Sequence, residues 1–459
     1  MLSRRAFVAA AATSIGRAQS PRPNLVLFLS DDHGYLDSPV YGSRAIRTPH
    51  LEKLAASGLA FSHAFSGAAI CIPSRAILAS GLCSHRNGAI ANGRDMRADI
   101  KTLPSYLTEA GYQVAHFGKS HFLPVANYKQ WEAVPSETPG GPLERDLDTK
   151  AFDSWLANRR SKDPLCLIVC SHSPHVIWDR NTEYDPAQAE LPPSFVDTPE
   201  TRSARVNYYT DITKMDNQLG EVHASVQRHL GANSLFLYTS DNGPQWPFAK
   251  WNLYDAGIRL PMIASWPGVI RPRTRTDAMI HFTDLLPTFL ELAGARAPQN
   301  IDGISFARVL KSSGGRHRQE IFASHTADNN SQMNCYPMRA LRTGHYKYIR
   351  NLYPELTYHT HFDRGISRDG RDAWDSWVRR AQADPQAAAT VRRYHQRPAE
   401  ELYDLRQDPH ELHNLAANPS QQRILQELRR RVDHWMNSMD DRGEIFGVPR
   451  PLKDFQMPV

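Results

Sequence analysis

Four groups of charged and polar residues share one position in the chain: each follows directly on a short apolar run. Asp31-Asp32 follows Asn24–Ser30, Gly118-Lys119-Ser120-His121 follows Tyr112–Phe117, His172-Ser173-Pro174-His175 follows Pro164–Ser171, and Ser240-Asp241-Asn242-Gly243 closes Ser234–Thr239. Adjacent carboxylates at the end of a buried strand repel each other unless a cation is present, so Asp31-Asp32 reads as a hard-metal site or as a plain Asp turn. Lys119 and His121 alternate along an extended backbone and face one side, as a functional pair or as a solvated strand end. Asp-Asn-Gly is ordinarily a turn. In open α/β sheets, however, ligands bind outside the carboxyl ends of the strands, so the four groups are expected to converge.

A fifth stretch, Cys71-Ile72-Pro73-Ser74-Arg75-Ala76-Ile77-Leu78-Ala79-Ser80-Gly81, reads as a helix with Pro73 at its first position and Gly81 as its cap. Cys71 then sits at a helix N-terminus, where free N–H groups and the dipole favour an anion or a developing negative charge. Arg75 adds a fixed positive charge one turn on. Taken alone, such a cysteine is more often a packed thiol.

Cys-x-Pro-Ser-Arg with the small-residue turn and Gly81 resembles the signature of the type I sulfatases, and Gly111-Tyr112 through Gly118-Lys119 to His121 resembles their second signature. The resemblance implies that Cys71 is oxidised to formylglycine by a formylglycine-generating enzyme and that the hydrated aldehyde is the nucleophile. It implies that Asp31, Asp32, Asp241 and Asn242, with the modified Cys71, hold one divalent ion. Hard oxygen donors suit Ca²⁺ better than zinc, with Mg²⁺ as the alternative. Arg75 would hold the hydrate, His121 with Lys119 would help deprotonate it, Lys119 and Lys250 would neutralise the sulfuryl oxygens, and His172 would protonate the leaving atom.

Within that family, Leu191–Pro199, Ser240–Tyr254, Cys335–Arg339 and Glu401–Leu415 look most like the N-sulfoglucosamine sulfohydrolases, which implies a sulfated saccharide as substrate. Lys250 stands where those enzymes carry arginine, and Asp255–Arg259 is closer to sulfatases in general, so a glycan O-sulfatase or arylsulfatase is the alternative. His175, His325 and Arg339 are candidate substrate contacts or structural residues. An alkaline-phosphatase-like phosphoester or phosphonate hydrolase would usually use Thr or Ser as nucleophile, against which Cys71 stands. A non-catalytic glycan-binding relative would have lost part of a set that is complete here.

The chain has 459 residues, with 54 Lys+Arg against 48 Asp+Glu. That excess is too small to name a partner, and no basic stripe with interleaved aromatics indicates nucleic acid. Ser3-Arg4-Arg5 with Phe7, an apolar run to Ile15 and small residues up to Ser20 read as an export signal over residues 1–20, similar to a twin-arginine signal, which places the protein in the periplasm or outside the cell. No other stretch is long and apolar enough to span a bilayer. Cys71, Cys83, Cys166, Cys170 and Cys335 form no disulfide framework, and Cys166 and Cys170 share one strand face. Oligomeric state is not legible.

Strands alternate with helices at His50–Ser57, Leu103–Ala110, about Thr201–Leu230 and His281–Ala293, with a further strand over Pro261–Ser265. The fold class is α/β: a large, mostly parallel mixed sheet flanked by helices over residues 21–320, alkaline-phosphatase-like by the resemblance. A smaller α+β domain over 321–459 would hold an antiparallel sheet with polar strands at Arg339–Arg350 and Glu401–Leu405 and a final helix near Gln421–Met436.

Overall fold

The computed structural model describes residues 22–119, 132–134, 146–312, 314–329, 333–365 and 370–454. The segment read as an export signal, and His121, lie outside them. Thirteen strands are described: β1 Asn24–Ser30, β2 Leu59–Phe65, β3 Gln113–Gly118, β4 Glu132–Val134, β5 Leu165–Cys170, β6 Ser234–Ser240, β7 Arg259–Ser265, β8 Thr274–Thr276, β9 Ile280–His281, β10 Glu320–His325, β11 Met338–Thr343, β12 Tyr346–Asn351 and β13 Glu400–Asp404.

The first nine form one sheet in the order β4-β3-β5-β1-β6-β7-β2-β8, with β9 also on β2. From β4 to β6 the pairing is parallel, whereas β7 runs antiparallel to both β6 and β2. The central strands are continuous apolar runs because both faces are covered. Along β1, Val26 and Phe28 face one core with the Pro199–Leu230 helix, and Leu25, Leu27 and Leu29 face the other with Ile77 and Leu78. Cys166 and Cys170 share that second face as free, buried thiols.

The remaining four strands form an antiparallel sheet, β10-β11-β12-β13. Leu425, Leu428 and Val432 of the Gln422–Ser438 helix pack on Leu341, Tyr348 and Leu402 on one face. The other face, through Ile321, Ala323, Met338, Ala340 and Ile349, joins the same buried cluster as Val26 and Phe28.

Several local expectations are corrected. Arg339–Arg350 is a hairpin of β11 and β12 with Gly344 between them, because Thr343 Oγ1 accepts the Tyr346 N–H and closes a turn. His281–Ala293 is split: His281 ends β9, residues 282–284 form a 3₁₀ turn, and the α-helix covers Leu285–Leu292. Pro73 is the third helical residue, since the helix starts at Cys71. Proline is tolerated there because none of the first four N–H groups has an intrahelical partner. The strand β2, which carries the chain toward Cys71, and the helices Arg371–Ala381 and Pro385–His395 add to the elements read from the sequence.

Asp216 illustrates how the long helix organises its neighbours. Its buried carboxylate accepts the N–H groups of His50 (3.0 Å) and Leu51 (2.8 Å), satisfying a helix start that Thr48 leaves without a side-chain cap. Burial pushes this carboxyl up to about 6. Asp216→Ala strands one buried and one half-buried donor and is expected to cost about 1–3 kcal/mol, read as a lower melting temperature; an unchanged melt would show that the cap is dispensable.

Candidate active site

β1 and β6 are parallel neighbours with Ser30 opposite Ser240, so the next residues, Asp31 and Asp241, emerge side by side. Asp32 adopts a left-handed backbone (φ 67°), its N–H reaches Asp241 Oδ1 (3.2 Å), and Asn242 Nδ2 donates to Asp32 Oδ1 (2.6 Å). All four residues are buried.

The helix starting at Cys71 is fastened to both strand ends. Cys71 Sγ lies 3.6 Å from Asp31 Oδ1, Ser74 Oγ donates to the Asp241 carbonyl, and the fully buried Arg75 bridges Asp241 Oδ2 (Nε, 2.8 Å) and Asp31 Oδ2 (Nη2, 3.5 Å). Lys119 arrives from β3 through Gly118, at φ 80°, where a Cβ would stand 1.9 Å from the Cys170 carbonyl oxygen. Only glycine allows that approach, and Lys119 Nζ then pairs with Asp31. Lys250 Nζ lies 2.7 Å from Asp32 Oδ2. From the end of β5, His175 places Nε2 3.9 Å from Asp32 Oδ2, and its ring is 5.0 Å from that of His172, whose backbone N–H is held by Asp146.

The geometry therefore brings together Asp31, Asp32, Cys71, Arg75, Lys119, Asp241, Asn242 and Lys250, with the His172–His175 pair at their edge. Arg339 is accounted for differently: it is buried and engaged by Asp441, by the carbonyls of His325 and Met338, and by His85 Nε2 (3.1 Å). His325 is buried, with Nε2 3.2 Å from the Asn334 carbonyl oxygen. Asn92 was not singled out from sequence, yet its Oδ1 accepts the N–H of Ile72 (3.1 Å) at the start of the Cys71 helix. Ala91-Asn92-Gly93 looks only like a turn, and no local pattern reveals the role.

Burial raises Asp32 to about 7, reinforced by Asp31 and Asp241 and opposed by Lys250. Burial also works to raise Asp31, but Lys119, His175, Arg75 and Lys250 outweigh it and hold that carboxyl well below the usual range. Burial and Asp31 push the Cys71 thiol well up, so a thiolate is disfavoured. His175 is driven well down by burial, Lys250 and Lys119, and His172 is lowered by burial and Lys119.

A divalent cation fits this donor set. One oxygen from each of Asp31, Asp32 and Asp241 lies within 4.8 Å of the others, and Asn242 Oδ1 is buried without a hydrogen-bond partner. Hard oxygen donors of this kind suit a hard ion. A divalent cation is expected to stabilise the fold by about 2.7 kcal/mol at a hundredfold excess over Kd, read as a higher melting temperature, and a chelator to remove that gain. Because Asp32 titrates near 7 without the ion, binding should release a proton and weaken as pH falls below about 7. A pH-independent calcium Kd between 5.5 and 8 would contradict this.

Comparison with known proteins identifies the family. The sulfatase family profile matches residues 23–295, and a profile described as N-sulphoglucosamine sulphohydrolase, C-terminal, matches residues 244–369. The chain belongs to the sulfatase family and is a hydrolase of that class. It is 32% identical over 441 residues to an ulvan-active sulfatase of Formosa agariphila, covering 94% of this chain and 84% of that protein. To human N-sulphoglucosamine sulphohydrolase it is 27% identical over 474 residues, covering 92% and 91%. A protein solved with its substrate D-glucosamine-2-N,6-O-disulfate shares the fold, with a TM-score of 0.71 and 19% identity over 92% of this chain and 99% of that one. Metal binding and modification of a cysteine go with the family in general terms, and the acidic cluster can hold such a metal. Among the described residues, no helix is long and apolar enough to cross a membrane.

Proposed function

We propose that this chain is an exported sulfatase that removes sulfate from a saccharide, with N-sulfoglucosamine as its best substrate, acting through Cys71 converted to formylglycine. The observation that carries this reading is the placement of Cys71: it opens a helix, lies 3.6 Å from Asp31 and stands among the charges of Asp31, Arg75, Lys119 and Lys250. A buried thiol held in its neutral form there is a poor nucleophile as it stands, which favours conversion. In this reading residues 21–320 form the catalytic domain and 321–459 the smaller one.

When present, formylglycine supplies a hydrated aldehyde as nucleophile, and a calcium ion (or Mg²⁺) held by Asp31, Asp32, Asp241 and Asn242 supplies positive charge. Arg75 fixes the spacing of the carboxylates against the helix start. Lys119 and Lys250 put two ammonium groups beside Asp31 and Asp32, where they can meet sulfuryl oxygens as negative charge shifts onto them. His175 Nδ1 lies at the Val176 carbonyl oxygen, so Nδ1 carries its proton and Nε2 is an acceptor toward the site. His172 is the proposed proton donor to the leaving atom, a role worth roughly 10²–10⁴-fold; burial and Lys119 favour its neutral form in the free protein, so it would take up that proton as the sulfate anion binds beside it. His121 is proposed as the base, from the family motif. Arg339 has partners that account for it without a substrate, whereas His325 keeps a buried Nδ1 with no hydrogen-bond partner among the described residues.

The match to the sulphohydrolase C-terminal profile and the end-to-end similarity to the human enzyme support N-sulfoglucosamine. The higher identity to an ulvan-active sulfatase favours, as the second reading, a glycan O-sulfatase. Peptide mass spectrometry of residue 71, after co-expression with a formylglycine-generating enzyme, should be paired with sulfate release from N-sulfoglucosamine, 6-O-sulfo-N-acetylglucosamine and an ulvan oligosaccharide. An aldehyde with release from the first sugar is expected. Release only from the O-sulfated substrates would move the protein to the second reading, and an aldehyde with no release from any would overturn the saccharide assignment.

A further inference from the structure

Two routes of contact leave the reaction centre and meet at His361. On one, the Ile72 N–H donates to Asn92 Oδ1 (3.1 Å), Asn92 Nδ2 donates to Asp328 Oδ1 (2.7 Å), and Asp328 Oδ2 lies 3.3 Å from His361 Nδ1. On the other, Lys250 Nζ, itself 2.7 Å from Asp32, stands 5.2 Å from the centre of the Trp251 ring, which stacks on the His361 ring at 5.1 Å and 21°. Asn334 Nδ2 is 3.3 Å from both Asp328 Oδ2 and His361 Nδ1. The imidazole is thus fixed by a carboxylate on one edge and by an indole on one face.

Among the described residues the other edge is uncovered. Among the described residues Nε2 of His361 makes no hydrogen bond, and the side chain is 27% exposed while that of Asp328 is 8% exposed. Asn334 Nδ2 donates to Asp328 Oδ2, and Nδ1–H of His361 is given to the same carboxylate; in that tautomer Nε2 carries a lone pair that can accept a proton donor. Among the described residues no Lys or Arg hydrogen-bonds or ion-pairs with Asn92, Asp328, Asn334 or His361. In that tautomer these four residues offer a second sulfate or a carboxylate no positive charge of their own. An uncharged hydroxyl would have a partner.

Given the saccharide-sulfatase reading, we propose that His361 is a specificity-determining contact for a hydroxyl of the sugar that carries the sulfate, with Asp328 as its positioning residue, so that the site prefers saccharide sulfates to aryl sulfates. Removing Nε2 would leave that hydroxyl without its acceptor, and an aryl sulfate offers no such group.

Protein made with Cys71 unconverted allows binding to be measured by calorimetry without turnover. The probes are N-sulfoglucosamine, 6-O-sulfo-N-acetylglucosamine, an ulvan oligosaccharide and 4-nitrophenyl sulfate, all with calcium present. His361→Ala is expected to weaken the best-bound sugar about tenfold more than 4-nitrophenyl sulfate. His361→Gln, which keeps an acceptor, should recover part of the difference, and Asp328→Asn should lose an intermediate share. Equal weakening of sugar and aryl sulfate, or no weakening of either, overturns the proposal. If His361→Ala does not fold, Asp328→Asn and His361→Gln carry the same comparison. Wild-type protein that binds 4-nitrophenyl sulfate but no sugar overturns this assignment and leaves a sulfate-ester site standing. Wild type that binds no sulfate ester overturns both.

Discussion

Cys71→Ala is expected to lower sulfate release by about 10⁴-fold or more, the scale seen when a nucleophile is removed from a site whose other groups remain. The substitution keeps a good helix former at the first helical position and loses only the 3.6 Å contact of Sγ to Asp31. Fold and the carboxylate part of the metal site should therefore survive, with a melting temperature close to that of the parent and a calcium response weakened by the missing ligand at position 71 but not abolished. Activity within tenfold of the parent, in protein shown by mass spectrometry to carry the aldehyde when unmutated, would remove Cys71 from the reaction. Loss of activity together with loss of the calcium response would instead make Cys71 a residue on which the metal site depends.

Arg75→Met should have the second largest effect, on stability first. Arg75 is fully buried and bridges Asp241 and Asp31, two fully buried carboxylates. Removing one partner of a buried pair costs about 3–5 kcal/mol, because the charge left behind has no compensation. Asp241 should suffer more than Asp31: burial and Asp31 already push its carboxyl up, whereas Asp31 keeps Lys119. The deficit should be largest in chelator and smaller in calcium, since a cation in the cluster answers the same carboxylates. A melt that drops equally with and without calcium would show that Arg75 acts through packing alone and not through the acidic cluster.

Which strand ends carry the chemistry is legible in residue order alone. A continuous apolar run is a local signal of a strand covered on both faces, and in a parallel sheet the carboxyl ends share one edge. Hence Asp31, Lys119, His172 and Asp241 could be grouped before any coordinates existed, and the helix behind Cys71 could be read from its proline, small residues and Gly81. The tertiary structure alone decided which charge meets which. Arg75 between Asp31 and Asp241, Lys250 on Asp32, Arg339 on Asp441 and His361 on Asp328 are pairings across loops and sheets. No periodicity encodes them, because period reports only the geometry of neighbours along one element. The hairpin at Gly344 and the strand β2 were missed for a related reason: their residues are placed by cross-strand partners, and β-structure depends on that context more than on intrinsic preference. The same packing separates the candidate contacts, placing His175 beside Asp32 while Arg339 is held by Asp441.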